Sequence, residues 1–378
     1  MPRYIYYHVL YVAMINIMMF IPTILIRDRF DGAVSGMLVA IVIGTIVMLG
    51  VMACFEKFPG LGFPELCDQY LPGWLAQGIN AFIAFFLWMP AGLIVIYSYA
   101  ETVRMFFYPD MNRYLNLLLM ATAAVWASSR STRSVQFIHE IMVLLSSPFI
   151  IWFLLKAIFN ENISWDAVRY VLGYVDHPPK FMAIAASTFV FSGYLSLTIF
   201  NRLNPENFKF RLRFVAPLFA MSFLIITFIV PIGMHGTVAV EHYVYLWSMT
   251  ADSIISEYGF INRILFIFLL LFTALSLLFV MNTWHTTIML IRYAINKCVA
   301  VEEDPPPAIN LWLAGGIGLA SFAFMFYVNQ EKIQWITELW LVLRFIMEIT
   351  AFGLMFYFTW KRKKESACPS ELGVPRSS

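Results

Sequence analysis

The chain has 378 residues, of which 61% are hydrophobic and only 13% are charged, and its mean hydropathy is +0.75. Ordinary soluble domains carry about twice that charged fraction, and apolar runs of about 20 residues recur from one end of the sequence to the other. These features predict an all-α polytopic membrane protein. The net charge of +2 gives no reason to expect a nucleic-acid partner, because the basic residues lie in short loops between the apolar runs.

Ten apolar segments are predicted to be transmembrane helices in the lipid bilayer. They cover approximately residues 4–26, 33–55, 78–107, 114–128, 135–159, 180–201, 214–234, 262–292, 309–328 and 335–360. An even number of spans places both termini on the same side of the bilayer. Basic residues are more frequent on that side, especially at 202–213 and 361–364. The positive-inside rule therefore predicts that both termini are cytoplasmic.

The ten predicted spans divide into two groups of five. A single transmembrane domain, residues 1–360, then consists of a first repeat at 1–159, a linker at 160–179 and a second repeat at 180–360. Because five is odd, the second repeat enters the membrane inverted relative to the first, as in many secondary transporters. The basic cytoplasmic tail at 361–378 is expected to be disordered.

The sixth span is interrupted near its middle at Ser192, Gly193 and Tyr194, and the first span carries Asn16 at a similar depth. An apolar span broken by a small residue at mid-membrane predicts a discontinuous helix, which is where many transporter folds bind their ligand. We therefore predict that discontinuous helices 1 and 6 bind a small polar nutrient through these four residues. Two alternatives are open: the glycine permits close helix packing, and the asparagine makes an interhelical hydrogen bond.

Four further residues inside the spans are candidates for the same site or its gate. Tyr97 in span three is predicted to close the pocket against spans one and six. Glu101, near the outer end of that span, is either a gating residue or half of a surface ion pair with Arg104. Histidine titrates near neutral pH, so His285 in span eight and His139 in span five are candidates for a proton-dependent role, with ordinary packing as the alternative.

Arg344 and Glu348 lie one helical turn apart, well inside the tenth span. Charges at that depth are costly in lipid and usually face a cavity or each other. Their spacing allows them to neutralise each other, so they form either a structural ion pair or a gate or partner contact.

The cysteines are all predicted at or near the inner face, where thiols stay reduced, so no disulfide is expected. They are Cys54, Cys67, Cys298 and Cys368. The sequence has no metal-ligand spacing and no nucleophile–base motif. We therefore predict no metal, no cofactor and no enzymatic activity.

Several short stretches together resemble the GerAB-type spore germination proteins, a branch of the amino acid/polyamine/organocation transporter superfamily. These stretches are His8 and Pro22 of span one, Arg29 to Ala33, Phe58 to Gly60 with Glu65, Phe191 to Gly193, Asn204 to Asn207, and Tyr258 to Arg263. The resemblance implies a LeuT-like core of five plus five inverted helices in the inner membrane of a bacterial spore. It also implies two partner subunits, a larger membrane protein and a lipoprotein.

On this resemblance, the leading hypothesis is a germinant-sensing subunit of a spore germination receptor that binds a small nutrient such as an amino acid. The alternative is a secondary transporter of amino acids or related small metabolites in the bacterial cell membrane. Because the two share a fold, the sequence does not separate them. A membrane-embedded enzyme and a structural scaffold without a ligand are weaker alternatives.

Overall fold

A computed structural model of the chain describes residues 4–106, 110, 112–205, 208–254, 264–296 and 306–367. This part is all-helical, with no strand. Its α-helices are α1 (Tyr4–Ile15), α2 (Ile21–Arg27), α3 (Ala33–Phe55), α4 (Phe63–Tyr70), α5 (Gly73–Ile83), α6 (Met89–Phe106), α7 (Arg113–Ser128), α8 (Thr132–Ile158), α9 (Trp165–Leu172), α10 (Phe181–Thr188), α11 (Leu197–Phe200), α12 (Val215–His235), α13 (Leu246–Ser253), α14 (Ile264–Asn296), α15 (Ala308–Tyr327) and α16 (Gln330–Ala367).

Eight helical stretches of the described residues are long and apolar enough to cross a membrane. They are Ala33–Phe55, Gly73–Phe106, Thr132–Ile158, Phe181–Leu203, Val215–His235, Leu265–Ile295, Ala308–Tyr327 and Gln330–Lys364. Each coincides with a predicted span. The two other predicted spans are also helical, but residues 4–27 are broken into pieces and α7 has only 16 residues. The chain is an integral multi-pass membrane protein, and the count of ten spans stays a prediction.

Two of the helical stretches are interrupted. In residues 4–27, a 3-10 turn at Asn16–Met19 separates α1 from α2, and Phe20 follows it with a φ of 56°. Such a left-handed backbone is uncommon for a residue other than glycine. In residues 181–203, a 3-10 helix over Phe189–Ser196 separates α10 from α11. We call residues 189–196 the tightened segment.

The tightened segment contains the predicted break at residues 192–194, but its geometry differs from the expectation. The chain is wound more tightly there rather than unwound, and Gly193 does not have a positive φ. The serine hydroxyls favour this geometry, because Ser192 donates to the carbonyl of Phe189 at 2.7 Å and Ser196 donates to that of Gly193 at 2.8 Å. Both bonds reach back three residues, which is the spacing of a 3-10 turn.

The core lies where the interrupted stretches meet the long helices. Here α1 packs along the tightened segment, α10 packs on α3, and α14 is surrounded by α5, α6, α7 and α8. A π-helical turn at Ala84–Trp88 joins α5 to α6 within one span. Such turns often occur at functional sites.

The described part of the tail differs from the expected disorder, because α16 continues to Ala367. Residues 361–364 are lysines and an arginine, which favour helix. Lys361 also donates to the carbonyl of Tyr70 at 3.4 Å, and the guanidinium of Arg362 lies 5.0 Å from the ring centre of Phe58. Residues 368–378 lie outside the described part, as do Glu206, Asn207, the stretch at 258–263, Cys298 and Cys368.

Candidate functional site

A narrow cavity lies where α1, the tightened segment, the π-helical turn, α14 and α16 meet. The space within it that water-sized molecules can occupy is about 50 Å³, which is room for a few water molecules. Its walls are mostly apolar and aromatic, as in many small-molecule sites. Its polar side chains are His8, Tyr11, Trp88, Ser192, Ser196, Asn282, Thr283, Thr286, Trp340 and Arg344.

Gly193 brings the tightened segment and α1 together at one wall of the cavity. A Cβ atom at this position would lie 2.5 Å from the Cα atom of Val9 and 2.9 Å from the carbonyl oxygen of His8. Real Cβ atoms are not found that close to other atoms, so only glycine fits without a backbone shift. This is the close-packing alternative of the sequence analysis, and it also shapes the cavity.

Arg344 ties α16 to the start of the tightened segment. Its guanidinium donates to Glu348 at 2.7 Å, to the carbonyl of Ala185 at 2.5 Å and to the hydroxyl of Thr188 at 2.9 Å. Both charged side chains are almost fully buried and face each other as their spacing predicts, while a role in gating or partner contact stays a prediction. The Nε atom of Arg344 has no hydrogen-bond partner among the described residues.

A buried polar cluster adjoins the cavity, which three of its members line: His8, Tyr11 and Asn282. The imidazoles of His8 on α1 and His139 on α8 are stacked, with ring centres 3.9 Å apart and an angle of 14° between the rings. His8 Nε2 lies 2.9 Å from Oε1 of Gln136, and His139 Nδ1 lies 2.6 Å from Nδ2 of Asn282. We call these four residues, with Tyr11, the histidine cluster.

Three predicted site residues do not line the cavity. The amide of Asn16 donates to the hydroxyl of Thr227 on α12 at 3.1 Å, which is the interhelical alternative. Tyr97 is buried with its ring edge against Phe324 of α15, so span three contributes Leu87, Trp88 and Ala91 instead. Tyr194 points away from Gly193 toward Glu348.

The remaining candidate residues, Glu101 and His285, contact other parts of the protein and do not line the cavity. Glu101 pairs with Arg104 at 2.9 Å and also with Arg113 at 3.2 Å, which joins α6 to α7. His285 is fully buried and bonded to the hydroxyl of Thr132 and the carbonyl of Ser128. Their roles in gating stay predictions. Cys54 and Cys67 are both buried.

Ion pairs lie toward both faces of the molecule. On the face predicted to be external, Arg27 of α2 pairs with Glu338 of α16 at 2.6 Å. This pair lies in an outer groove of about 240 Å³ that is also lined by Thr23. On the predicted cytoplasmic face, the buried guanidinium of Arg202 pairs with Glu65 of α4 at 2.5 Å.

Glu65 makes further contacts on the same predicted cytoplasmic face. Tyr293 of α14 donates to it at 2.7 Å, and the backbone N–H of Gly62 donates at 3.1 Å. The guanidinium of Arg202 also lies 4.3 Å from the ring centre of Tyr293. One carboxylate therefore links α4, residue 202 and α14.

No protein-family model matches the chain, and no curated protein matches it. Its structure does resemble that of a membrane transporter. The solved structure is described as the substrate-bound outward-open state of a Na⁺-coupled sialic acid symporter with a novel Na⁺ site. The TM-score is 0.52 at 12% sequence identity, and the match covers 95% of this chain and 79% of that chain. At this identity the similarity shows the fold alone, which is the LeuT-like fold expected above.

Proposed function

We propose that the protein binds a small solute bearing a carboxylate, such as an amino acid, in the cavity beside the tightened segment, and carries it across the membrane as a secondary transporter. The observation that supports this most is the position of Arg344. It is the one charged side chain among the cavity-lining residues, and its Nε atom has no partner in the described part. Guanidinium groups bind carboxylates through short, charge-assisted hydrogen bonds.

The rest of the cavity restricts the class of solute. Its walls expose much more apolar than polar surface, so the solute carries an apolar part beside its carboxylate. The indole Nε1 of Trp88 is a second donor without a partner among the described residues. The cavity volume of about 50 Å³ is below the roughly 300 Å³ of ordinary ligand sites. Binding therefore requires α1 or α16 to move relative to the tightened segment.

A second candidate function is germinant sensing in a spore germination receptor. The resemblance of residues 58–60 and 191–193 to the GerAB-type proteins supports it. In that role the same cavity binds an amino acid germinant in the inner spore membrane. The chain then acts with a larger membrane subunit and a lipoprotein subunit, and it transmits the binding event to them instead of moving the solute.

The binding site is tested by thermal unfolding of the purified protein in the presence of single amino acids, sugars and nucleosides. We expect carboxylate-bearing solutes to raise the unfolding temperature, because a ligand that binds only the folded state stabilises it. Ser196→Leu fills the cavity and should abolish the shift. Ser321→Leu is the matched control, since Ser321 in α15 is buried and its hydroxyl makes the same backward bond, to Gly318 at 2.6 Å. A shift that survives in Ser196→Leu would remove the site assignment.

Transport and sensing are separated by measuring flux. In liposomes containing only this chain, a secondary transporter accumulates a labelled solute that stabilises it. A receptor subunit shows binding without accumulation, and it needs the co-expressed partner subunits for its response. Accumulation by the chain alone would contradict the sensing role, and binding without flux would contradict transport.

A further inference from the structure

The stacked histidines of the histidine cluster are the most unusual buried polar feature of the described residues. His8 is 2% exposed and His139 is 0% exposed, and neither is needed to place the carboxylate group of a solute. Imidazoles with centres 3.9 Å apart repel each other strongly if both are charged, because the interaction of two like charges is large in a low-dielectric interior. The pair therefore accepts one proton at most.

The hydrogen bonds around His139 allow it to take up that proton. In the neutral state the amide of Asn282 donates to Nδ1 of His139. The other ring nitrogen, Nε2, has no hydrogen-bond partner among the described residues. When Nδ1 gains a proton, rotation of the Asn282 amide presents its oxygen, which also has no partner among the described residues. The new N–H group of the imidazolium then has an acceptor.

The histidine cluster reaches the cavity directly, because His8, Tyr11 and Asn282 line it. A proton therefore reaches the stacked pair through the same space that the solute occupies. His139 itself lies behind His8, and it contacts the ring of Tyr11 edge-on, with centres 4.8 Å apart.

The surrounding charges leave the proton without a counter-ion in the protein. The titratable and charged groups on the elements packed around the pair include Tyr6, Tyr7 and Tyr11 on α1, Arg133, the partly exposed Glu140 and Lys156 on α8, His235 on α12, His285, Arg292 and Tyr293 on α14, Tyr194 in the tightened segment, Arg202 after α11, and Arg344 and Glu348 on α16. No carboxylate is among the residues that line the cavity. Glu348 is already engaged with Arg344 at 2.7 Å.

We propose that the His8–His139 pair is a single-proton site whose occupancy is coupled to binding of the solute carboxylate in the cavity. The inference rests on the proposed function. The solute anion compensates the charge of the imidazolium, so each ligand raises the affinity of the site for the other by the same factor. The proton gradient then drives uptake of the solute.

The coupling is tested with the full chain in liposomes and a labelled solute that stabilises it. An inward gradient of one pH unit is worth about 1.4 kcal/mol and drives about tenfold accumulation at one proton per solute. We expect this accumulation for the wild type. His139→Gln should reduce accumulation to simple equilibration while the solute still stabilises the variant. His235→Gln is the control, because His235 of α12 does not line the cavity and lies 3.1 Å from the hydroxyl of Thr250, and it should accumulate solute like the wild type.

The proton site would be overturned if uptake by the wild type does not depend on the pH gradient, or if a Na⁺ gradient alone drives it. The proposed function would still stand in either case. A second measurement observes the proton itself. In ¹⁵N-histidine-labelled protein, a bound solute should raise the pH at which one imidazole of the pair becomes an imidazolium on acidification, and this signal should be absent in His139→Gln. If the solute binds but neither imidazole becomes charged between pH 8 and 5, the proton site is wrong and the proposed function stands. If no solute binds at all, the proposed function fails, and the coupling fails with it.

Discussion

Gly193 has no side chain, and the backbone of α1 at residues 8–9 occupies the space that one would need. The absence of a side chain therefore allows the backbone of α1 to pack directly against the tightened segment. The hydroxyls of Ser192 and Ser196 donate hydrogen bonds to carbonyls of the tightened segment. These hydroxyls are therefore already hydrogen-bonded when no solute is present. Of the polar groups at the cavity, those of Arg344, Trp88 and Tyr11 have a donor atom without a hydrogen-bond partner among the described residues.

Gly193→Ala should lower the unfolding temperature of the purified protein. Its new methyl group would meet the α1 backbone, which cannot move aside cheaply, and overpacking of this kind costs about 1–3 kcal/mol. Gly315→Ala in α15 is the control, because nothing lies within 4 Å of a Cβ atom there. Alanine favours helix over glycine by about 1 kcal/mol, so the control should keep or raise the unfolding temperature. Equal losses for both variants would contradict the close approach.

Glu348→Gln should also destabilise the protein, because it leaves the buried charge of Arg344 without its counter-charge. Breaking a buried ion pair by removing one partner costs about 3–5 kcal/mol. Glu331→Gln is the control. Glu331 lies at the exposed start of the same helix, so this change removes a negative charge without leaving a buried positive charge unpaired. Thermal unfolding measures both. An unchanged unfolding temperature for Glu348→Gln would show that water reaches the pair.

The sequence predicts contacts within one helix better than contacts between helices. The spacing of Arg344 and Glu348 is sufficient to predict their ion pair, because residues four apart share a helix face. The bond between His8 and Gln136 joins residues 128 apart, and no local pattern indicates it. The contact of Asn16 is also not predictable from local sequence. Its depth in the span is equally consistent with a ligand contact and with a contact to another helix, and only the folded structure shows its hydrogen bond to Thr227.

At the scale of elements, the interruption near residues 192–194 was predictable, whereas its form was not. A glycine flanked by small and aromatic residues indicates an irregularity, but the serine bonds to carbonyls three residues back make it a tightening. The π-helical turn at Ala84–Trp88 had no signal in the sequence, since its five residues are ordinary helix residues. The sequence predicts Tyr97 as the residue of span three that closes the pocket, whereas Leu87, Trp88 and Ala91 of that span line the cavity.

The carboxylate of Glu65 holds α4 against Arg202 and Tyr293 on the predicted cytoplasmic face. The contribution of this carboxylate can be measured by how often α4 opens. Glu65→Gln should weaken the contacts with Arg202 and Tyr293 and let α4 open more often. Cys67, on the same helix and fully buried, then reacts faster with a thiol reagent in a chain whose other three cysteines are serine. We expect about a tenfold faster reaction, equivalent to 1.4 kcal/mol in the opening free energy.

The control for this experiment is Gln69→Ala, which changes an exposed side chain of α4 and should leave the labelling rate of Cys67 unchanged. If Glu65→Gln labels no faster than this control, the contacts of Glu65 do not hold α4 closed.

For the whole molecule, the hydropathy of the sequence predicts most of the architecture. Lipid offers no hydrogen-bond partners to the backbone, so every long apolar run must be helical, and eight of the predicted spans appear as single helical stretches. The packing of these helices depends on side-chain shape, which periodicity does not report. The cavity arises only when α1, α14 and α16 are placed around the tightened segment, so its position within the fold could not be derived from the spans alone.

The fold and the cavity together make a testable statement about where the solute binds. The molecule has a second, larger space in the outer groove beside Thr23, Arg27 and Glu338. That groove lies between α2 and α16 and holds an ion pair of its own. It is therefore the natural competitor for the solute.

The most direct test is an experimental structure of the protein with a stabilising solute bound. Our account predicts the solute between α1 and the tightened segment, with its carboxylate about 3 Å from the guanidinium of Arg344 and its apolar part against the aromatic wall of the cavity. A solute bound in the outer groove, with the cavity at Arg344 still closed, would contradict it.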